Sequence, residues 1–250
     1  MAFENIGTLD STPVIRDDYS VDKYDTIDVF EFSINDIKDI NLSLTNISAG
    51  DDADLTLYRD NGNGIFNSSE DTYIAASHRE SNLDDSINVA DQEVGTYFAQ
   101  VNLFADSNSD GVTYDLALST TPGYTPSNLL PAETQLGDLS GDVTQYGDIS
   151  DLNTSDTYAF SLGYFEGVNI NLTGLSSDAD IRLIADANGN RIVDQGEELV
   201  RSAFGGTTPD HISLDDAGNY FLQVYQWSGS TSYTLEFDHF TTDLALAAVG

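Results

Sequence analysis

The chain repeats itself, and this limits what it can fold into more than any other feature. Asn5-Ile6-Gly7-Thr8-Leu9 resembles Gln135-Leu136-Gly137-Asp138-Leu139. Asp28-Val29-Phe30-Glu31-Phe32-Ser33-Ile34 resembles Asp156-Thr157-Tyr158-Ala159-Phe160-Ser161-Leu162. Asp52-Ala53-Asp54-Leu55 matches Asp178-Ala179-Asp180-Ile181. Gly95-Thr96-Tyr97-Phe98-Ala99-Gln100-Val101 matches Gly218-Asn219-Tyr220-Phe221-Leu222-Gln223-Val224, and Thr113-Tyr114-Asp115-Leu116 matches Ser232-Tyr233-Thr234-Leu235. The segments stay in order while their spacing drifts, as in a tandem duplication with small loop insertions and deletions. Pro122, Pro126 and Pro131, three of the chain's 5 prolines, fall between the copies and predict a stiff linker. The expected organisation is a first domain over 1–120, a linker over 121–134, a second domain over 135–240 and a tail over 241–250.

Each copy reads as β-structure. Phe30, Phe32 and Ile34 alternate with Glu31 and Ser33, and Tyr158, Phe160 and Leu162 do the same in the second copy. Ile40, Leu42 and Leu44 alternate with polar neighbours, as do Val168, Ile170 and Leu172. A period of two buries one face of a strand and wets the other. Short strands between Gly, Asn, Asp and Ser clusters predict an all-β fold of two tandem jelly-roll-like β-sandwich domains joined by the Pro-containing linker.

Charge excludes several functions. The 250 residues include 43 Asp plus Glu against 8 Lys plus Arg, for a formal net charge of −35. Both copies share the excess. Such a field repels phosphate backbones and anionic bilayers, so nucleic acid is not an expected partner. No run of about 18 apolar residues exists, so no membrane insertion is expected. Carboxylates at this density call for screening, by dissolved salt or by bound divalent cations. With no Cys, disulfides and thiolate metal sites are absent. The opening MAFENIGTLD has neither a basic nor an apolar signal region, so no N-terminal signal peptide is visible. The apolar Leu244-Ala-Leu-Ala-Ala-Val of the tail reads as a last strand or a C-terminal export signal.

In order, each copy runs Asp-x-(Phe/Tyr)-x-Phe, an alternating strand, Asp-Ala-Asp-(Leu/Ile), a loop, Gly-x-Tyr-Phe-x-Gln-Val and (Ser/Thr)-Tyr-x-Leu. This pattern resembles the bacterial pre-peptidase C-terminal domain, taken twice, over nearly the whole chain. The resemblance implies a jelly-roll-like sandwich on secreted bacterial proteins, often beside a protease, with some relatives binding calcium and some a polymer such as collagen. It implies a secreted or cell-surface location here. No peptidase domain accompanies the two copies.

The most specific chemical motif is a loop in the second copy. Counting Asp186 as one, oxygen-bearing side chains fall at three (Asn188), five (Asn190), nine (Asp194) and twelve (Glu197), with the Ile192 carbonyl at seven. This is the ligand spacing of an EF-hand-type Ca2+ loop, since calcium takes six to eight hard oxygens. Arg191 stands at position six, where a glycine normally makes the turn, and flanking helices are not expected. The first copy offers Asn61, Asn63, Asn67 and Glu70 in the same register, with the Ile65 carbonyl at seven and Gly64 at six. There Arg59 occupies position one and Asp60 is displaced by one, so a weaker site is expected. Read without a metal, both loops are Asn-Gly hairpin turns. Asp52 with Asp54, and Asp178 with Asp180, form a second candidate metal cluster or, equally, turn caps.

Catalytic motifs are missing. His78, His211 and His239 are scattered, and no Gly-x-Ser-x-Gly or His-Glu-x-x-His occurs. Tyr220, Leu222 and Val224 are expected to point inward, which turns Phe221, Tyr225 and Trp227 to the opposite face as a candidate ligand-binding surface. The reading these observations support is a non-catalytic, calcium-binding module pair that acts in adhesion or as an accessory element on an extracellular polymer or protein. The alternatives are a metal-free carbohydrate- or protein-binding module using the face near Trp227, and a carboxylate-based hydrolase.

Overall fold

The structure, a computed structural model, describes residues 2–242. Among these residues every regular element is a strand. The chain divides into two compact units, one of residues 2–133 with 151–155, the other of residues 134–150 with 156–242. The apolar stretch after Asp243 lies outside the described residues.

The first unit contains β1 (Ala2–Thr8), β2 (Val14–Val21), β3 (Ile27–Ile34), β4 (Lys38–Thr45) and β5 (Asp52–Arg59). It continues with β6 (Thr72–Ser77), β7 (Asp85–Gln92), β8 (Gly95–Ala105) and β9 (Val112–Thr121). Five strands form one sheet in the order β1-β3-β8-β5-β6, and four form the other as β2-β9-β4-β7. The second unit contains β10 (Thr134–Asp138), β11 (Val143–Ile149), β12 (Ser155–Leu162), β13 (Glu166–Thr173) and β14 (Asp178–Ile184). After these come β15 (Glu198–Ser202), β16 (Asp210–Leu214), β17 (Gly218–Ser228) and β18 (Thr231–Thr241). Its sheets run β10-β12-β17-β14-β15 and β11-β18-β13-β16, which is the first unit's order repeated strand for strand.

Even the irregularities repeat. β1 lies parallel to β3 with a register shift between Asn5 and Gly7, and β10 lies parallel to β12 with one between Gln135 and Gly137. Gly7 (φ 89°) and Gly137 (φ 70°) take the left-handed conformation at these bulges, where any side chain would be strained. The first pair of repeated sequence segments therefore encodes a bulged edge strand.

The alternating residues build each core as expected. Phe30, Phe32 and Ile34 meet Ile40, Leu42 and Leu44 in the first unit, and Phe160, Leu162, Val168, Ile170 and Leu172 are buried in one cluster in the second. Tyr220, Leu222 and Val224 do point inward. A polar bond then crosses between the sheets of each unit. The Tyr114 hydroxyl on β9 donates to Asp28 Oδ2 on β3 at 2.6 Å. At the equivalent place Tyr233 on β18 donates to Asp156 on β12 and lies 2.7 Å from the Tyr158 hydroxyl. Tyr233 packs over Gly147 of β11 so closely that a Cβ there would stand 2.3 Å from its hydroxyl oxygen. Both Asp-x-(Phe/Tyr) and (Ser/Thr)-Tyr-x-Leu thus owe their recurrence to one contact.

Residues 121–133, expected to be a linker, instead belong to the first unit. Asn128 Nδ2 donates to Ser11 O at 2.8 Å, Ala132 N donates to Asp84 Oδ2 at 2.7 Å, and Leu129 and Leu130 are buried. Proline fixes φ but leaves the intervening apolar and polar groups free to seek partners, and here they find them. Residues 151–154 add to the β7 edge through Ala90 N to Asp151 O and Thr154 N to Asn88 O, at 2.8 and 2.9 Å. A sheet edge covered in this way is closed to further strand pairing.

Removing the donor from the cross-sheet bond takes a hydrogen bond from a carboxylate that is buried at Asp28 and half-buried at Asp156. Tyr114→Phe and Tyr233→Phe are each expected to lower the unfolding free energy by about 2 kcal/mol in urea titrations. Tyr146→Phe, at an exposed ring, is expected to stay within about 0.5 kcal/mol of the parent. Equal stability of all three variants would contradict the role given to the bond.

Candidate metal loops and carboxylate clusters

The two motif loops occupy the same place. One joins β5 to β6, the other β14 to β15, and each closes an antiparallel hairpin at the sheet margin. In the second unit the loop's own oxygens satisfy its backbone. Asp186 accepts from Gly189 N at 2.8 Å and from Arg191 N at 3.0 Å. Asn188 Oδ1 accepts from Asn190 N, and Asn190 Oδ1 from Ile192 N, at 3.0 and 2.9 Å. Glu197 takes Ala187 N and Asp194 N on its two oxygens, both at 2.9 Å. The Asn188 and Asn190 amides converge on Asp194 Oδ2 at 2.8 and 2.9 Å. Ile192 is buried and anchors the loop to the unit.

Arg191 shows how the position-six requirement is met without glycine. Its φ is 61°, the left-handed turn a glycine would make, and its guanidinium lies 5.3 Å from the centre of the Phe221 ring. A cation over an aromatic face offsets part of the strain in the backbone.

The first loop is a rearranged copy. Asn61 Oδ1 accepts from Asn63 N and Asn63 Oδ1 from Ile65 N, as Asn188 and Asn190 do in the other loop. Position one belongs to Asp60, whose two oxygens accept from Gly64 N at 3.1 and 3.2 Å. Arg59 pairs with Glu93 instead. The clamp expected of Glu70 is made by Asp71, which accepts from Asn61 N at 3.1 Å and Asn67 N at 2.8 Å. Glu70 is exposed, and so is Ile65, whose anchoring role passes to Phe66. One residue fewer ahead of Asn61 and one more after Glu70 hide this from a fixed count. The neighbouring acidic residue was the available signal.

Phe66 packs edge-on against Phe98 and Tyr58, at centroid distances of 5.3 and 5.5 Å. Phe3 and Tyr73 extend the series. These rings come from separate segments, and sequence reading missed them as a group. The surface expected from Phe221, Tyr225 and Trp227 is not one open aromatic face. Phe221 sits under Arg191 and Tyr225 under Arg201, while Gln223 between them bonds Arg182 at 2.8 Å. Trp227, 48% exposed, offers the accessible ring.

The Asp-x-Asp pairs gain a third member from the next strand of each unit. In the first, Asp85 at the start of β7 joins Asp52 and Asp54. In the second, Asp210 at the start of β16 joins Asp178 and Asp180. The construction is the same in both. Asp85 accepts from Ser77 Oγ and Arg79 N, and Asp210 from Ser202 Oγ and Phe204 N. Asp85 Oδ2 and Asp210 Oδ2 are buried without a hydrogen-bond partner, as are Asp52 Oδ1 and Asp178 Oδ1. Burial, with the charges of Asp54 and Asp52, pushes the Asp85 carboxyl up to about 6. Burial, then Asp210 and Asp178, pushes Asp180 up to about 6. Among the described residues no three His, Asp or Glu side chains stand together as a preformed metal cage.

The geometry defines a pair of like β-sandwich modules with a polar loop and an acidic cluster on each. Residues 26–103 match the bacterial pre-peptidase C-terminal domain, so the first unit carries a domain of that family and the second repeats its topology. The pre-peptidase C-terminal domain of a Bacillus anthracis collagenase is 21% identical, over 48% of this chain and 94% of that one, with a TM-score of 0.32. Aeromonas hydrophila PliG, a periplasmic inhibitor of g-type lysozyme, is 13% identical over 48% of this chain and 98% of that one, with a TM-score of 0.31. The CUB1-EGF-CUB2 domains of rat MASP-1 are 9% identical over 94% and 99%, with a TM-score of 0.27. No curated protein sequence matches the chain.

The raised carboxyls make stability depend on pH. Burial also pushes Asp39 up to about 6, with Asp91 and Asp151 adding to it. Unfolded Asp titrates near 3.9, so the folded form holds these protons more tightly. Their stabilisation is full below about pH 3.9 and is lost as pH rises through about 6. In EDTA, the unfolding free energy is expected to be higher at pH 5 than at pH 7.5, and Asp39→Asn with Asp85→Asn should flatten the difference. A parent profile that rises over this window would refute the assignment.

Proposed function

We propose that this chain is a non-catalytic, exported pair of sandwich modules whose hairpin loops bind calcium, serving adhesion or a substrate-binding partner domain. The observation that carries the reading is the second loop. Five oxygen-bearing side chains at positions one, three, five, nine and twelve are already drawn into a single turn by their own backbone. Asp194 is met there by both asparagine amides. Asp186, Asn188, Asn190, Asp194, Glu197 and the Ile192 carbonyl would hold the ion, and a hard divalent cation would neutralise part of the loop's charge. The first loop would use Asp60, Asn61, Asn63, Asn67 and Asp71. Having fewer carboxylates among its equivalent positions, it would bind more weakly.

The family match supports an accessory role outside the cell, since the collagenase named above carries such a domain. An ion that binds only the folded form stabilises it by about 2.7 kcal/mol at a hundredfold excess over Kd. Millimolar calcium is therefore expected to raise the melting temperature and EDTA to reverse the rise, while sodium at equal ionic strength does not substitute. Asp186→Ala with Asp194→Ala should remove most of the shift, and Asp60→Ala with Asp71→Ala a smaller part. If the first double variant responds to calcium as the parent does, the loop is not the site.

A further inference from the structure

The chain contains three Asn-Gly pairs, and all lie in the two motif loops. Asn61-Gly62 and Asn63-Gly64 fall between β5 and β6, and Asn188-Gly189 between β14 and β15. An asparagine followed by glycine can react with its own backbone. The glycine nitrogen reaches the side-chain carbonyl carbon by closing a five-membered ring, and the absence of a Cβ leaves the approach unhindered. We propose that Asn61-Gly62 is a site of spontaneous deamidation, and that side-chain hydrogen bonds shield the other two pairs from the same reaction.

Three groups matter at each pair: the carbonyl that is attacked, the glycine N–H that attacks and the amide nitrogen that leaves. The carbonyls are alike. Asn61 Oδ1 accepts from Asn63 N at 3.1 Å, Asn63 Oδ1 from Ile65 N at 2.8 Å and Asn188 Oδ1 from Asn190 N at 3.0 Å. Each bond folds the side chain over the residues that follow and polarises the carbonyl carbon. Space is alike as well, since a Cβ on Gly62, Gly64 or Gly189 would meet nothing within 4 Å.

The nitrogens differ. Gly189 N donates to Asp186 Oδ1 at 2.8 Å, and Asn188 Nδ2 donates to Asp194 Oδ2, also at 2.8 Å. Gly64 N is shared between the two oxygens of Asp60 at 3.1 and 3.2 Å. A nitrogen held in this way gives up a charge-assisted bond before it can attack. The β8–β9 loop is guarded likewise. After Asn108, Ser109 N donates to Asp106 Oδ1 at 2.7 Å, and after Asp110, Gly111 N donates to Asp106 Oδ2 at 3.2 Å. Among the described residues, Gly62 N and Asn61 Nδ2 have no hydrogen-bond partner. At this one Asn-Gly pair the attacking nitrogen and the leaving nitrogen both face solvent, on exposed residues.

The reaction needs only water. Gly62 N bonds to Asn61 Cγ as its proton passes to solvent. The Cγ–Nδ2 bond breaks, and Nδ2 takes up a proton and leaves as ammonia. One water then opens the cyclic imide at either carbonyl. Cleavage at Cγ restores the main chain with an aspartyl side chain. Cleavage at the main-chain carbonyl gives the isoaspartyl form, one carbon longer along the backbone. Both products carry a new negative charge beside Asp60 and the Asp71 clamp, at the third position of the loop. The first loop thus changes its charge with time while the second keeps its own, whether or not either loop takes calcium.

The full chain would be incubated in EDTA for days at mildly alkaline pH, folded and, in parallel, unfolded in guanidinium chloride. EDTA keeps the loops free of calcium, so failure of the calcium assignment leaves the outcome unaffected. Trypsin after Arg59 and Arg79 releases Asn61 and Asn63 on one peptide, and after Arg182 and Arg191 it releases Asn188 on another. Fragment masses then assign each conversion to its residue. Comparable rates at the three sites are expected in the unfolded chain. In the folded chain Asn61 is expected to react at least about tenfold faster than Asn63 and Asn188, the factor that keeping a charge-assisted hydrogen bond confers. Asp60→Ala frees Gly64 N and should bring Asn63 up toward the rate of Asn61, with Asn188 unchanged. If that variant does not fold, the comparison of folded and unfolded parent decides by itself. The proposal is overturned if Asn61 in the folded chain reacts no faster than Asn63 or Asn188, or if folded Asp60→Ala leaves Asn63 as slow as in the parent.

Discussion

A tyrosine hydroxyl donated across the core to an aspartate, buried in the first unit and half-buried in the second, ties the two sheets of each unit together. Asp28 and Asp156 open the central strands β3 and β12, while Tyr114 and Tyr233 come from the opposing sheets. Apolar packing between sheets is non-directional and tolerates sliding, whereas a buried carboxylate with one good donor does not. Burial raises the Asp28 carboxyl and the Tyr114 bond opposes that rise, so the contact also helps the residue remain charged inside the sandwich. With the sheets fixed, the β5–β6 and β14–β15 hairpins project their loops from equivalent places.

The polar features above this frame follow one logic. Side-chain oxygens at the loops are occupied by nearby backbone N–H groups, which shapes the turn before any ion arrives. Carboxylates at the strand starts are buried by the neighbouring strand and left partly unpartnered. The two kinds of site differ in build. The loops hold their side-chain oxygens within one turn of backbone, whereas the clusters draw carboxylates from separate strands.

Much of this was legible from residue order. Strict alternation in Phe30-Glu31-Phe32 and Val168-Asn169-Ile170 predicts strands with one buried face, and the cores contain those residues. The Asp186 loop was readable as a polar turn because its side-chain-to-backbone bonds are local, set by one turn of backbone. Its first-unit partner was misread by one residue at each end, since insertion and deletion around Asn61-Gly62-Asn63 leave the count unchanged while moving Asp60 and Asp71 into the decisive roles. The proline-bearing stretch was misread because proline reports backbone stiffness and says nothing of where Leu129 and Leu130 come to rest.

The sequence by itself determined the duplication, the all-β class, the inward residues and the polar loop chemistry, because each depends on neighbours within a few positions. Only tertiary structure decided that Asp85 and Asp210 join the Asp-x-Asp pairs. It likewise decided that Phe221 and Tyr225 lie beneath arginines while Trp227 stays accessible. Those contacts join strands far apart in the chain, and their strength comes from burial, which no local pattern of residues specifies.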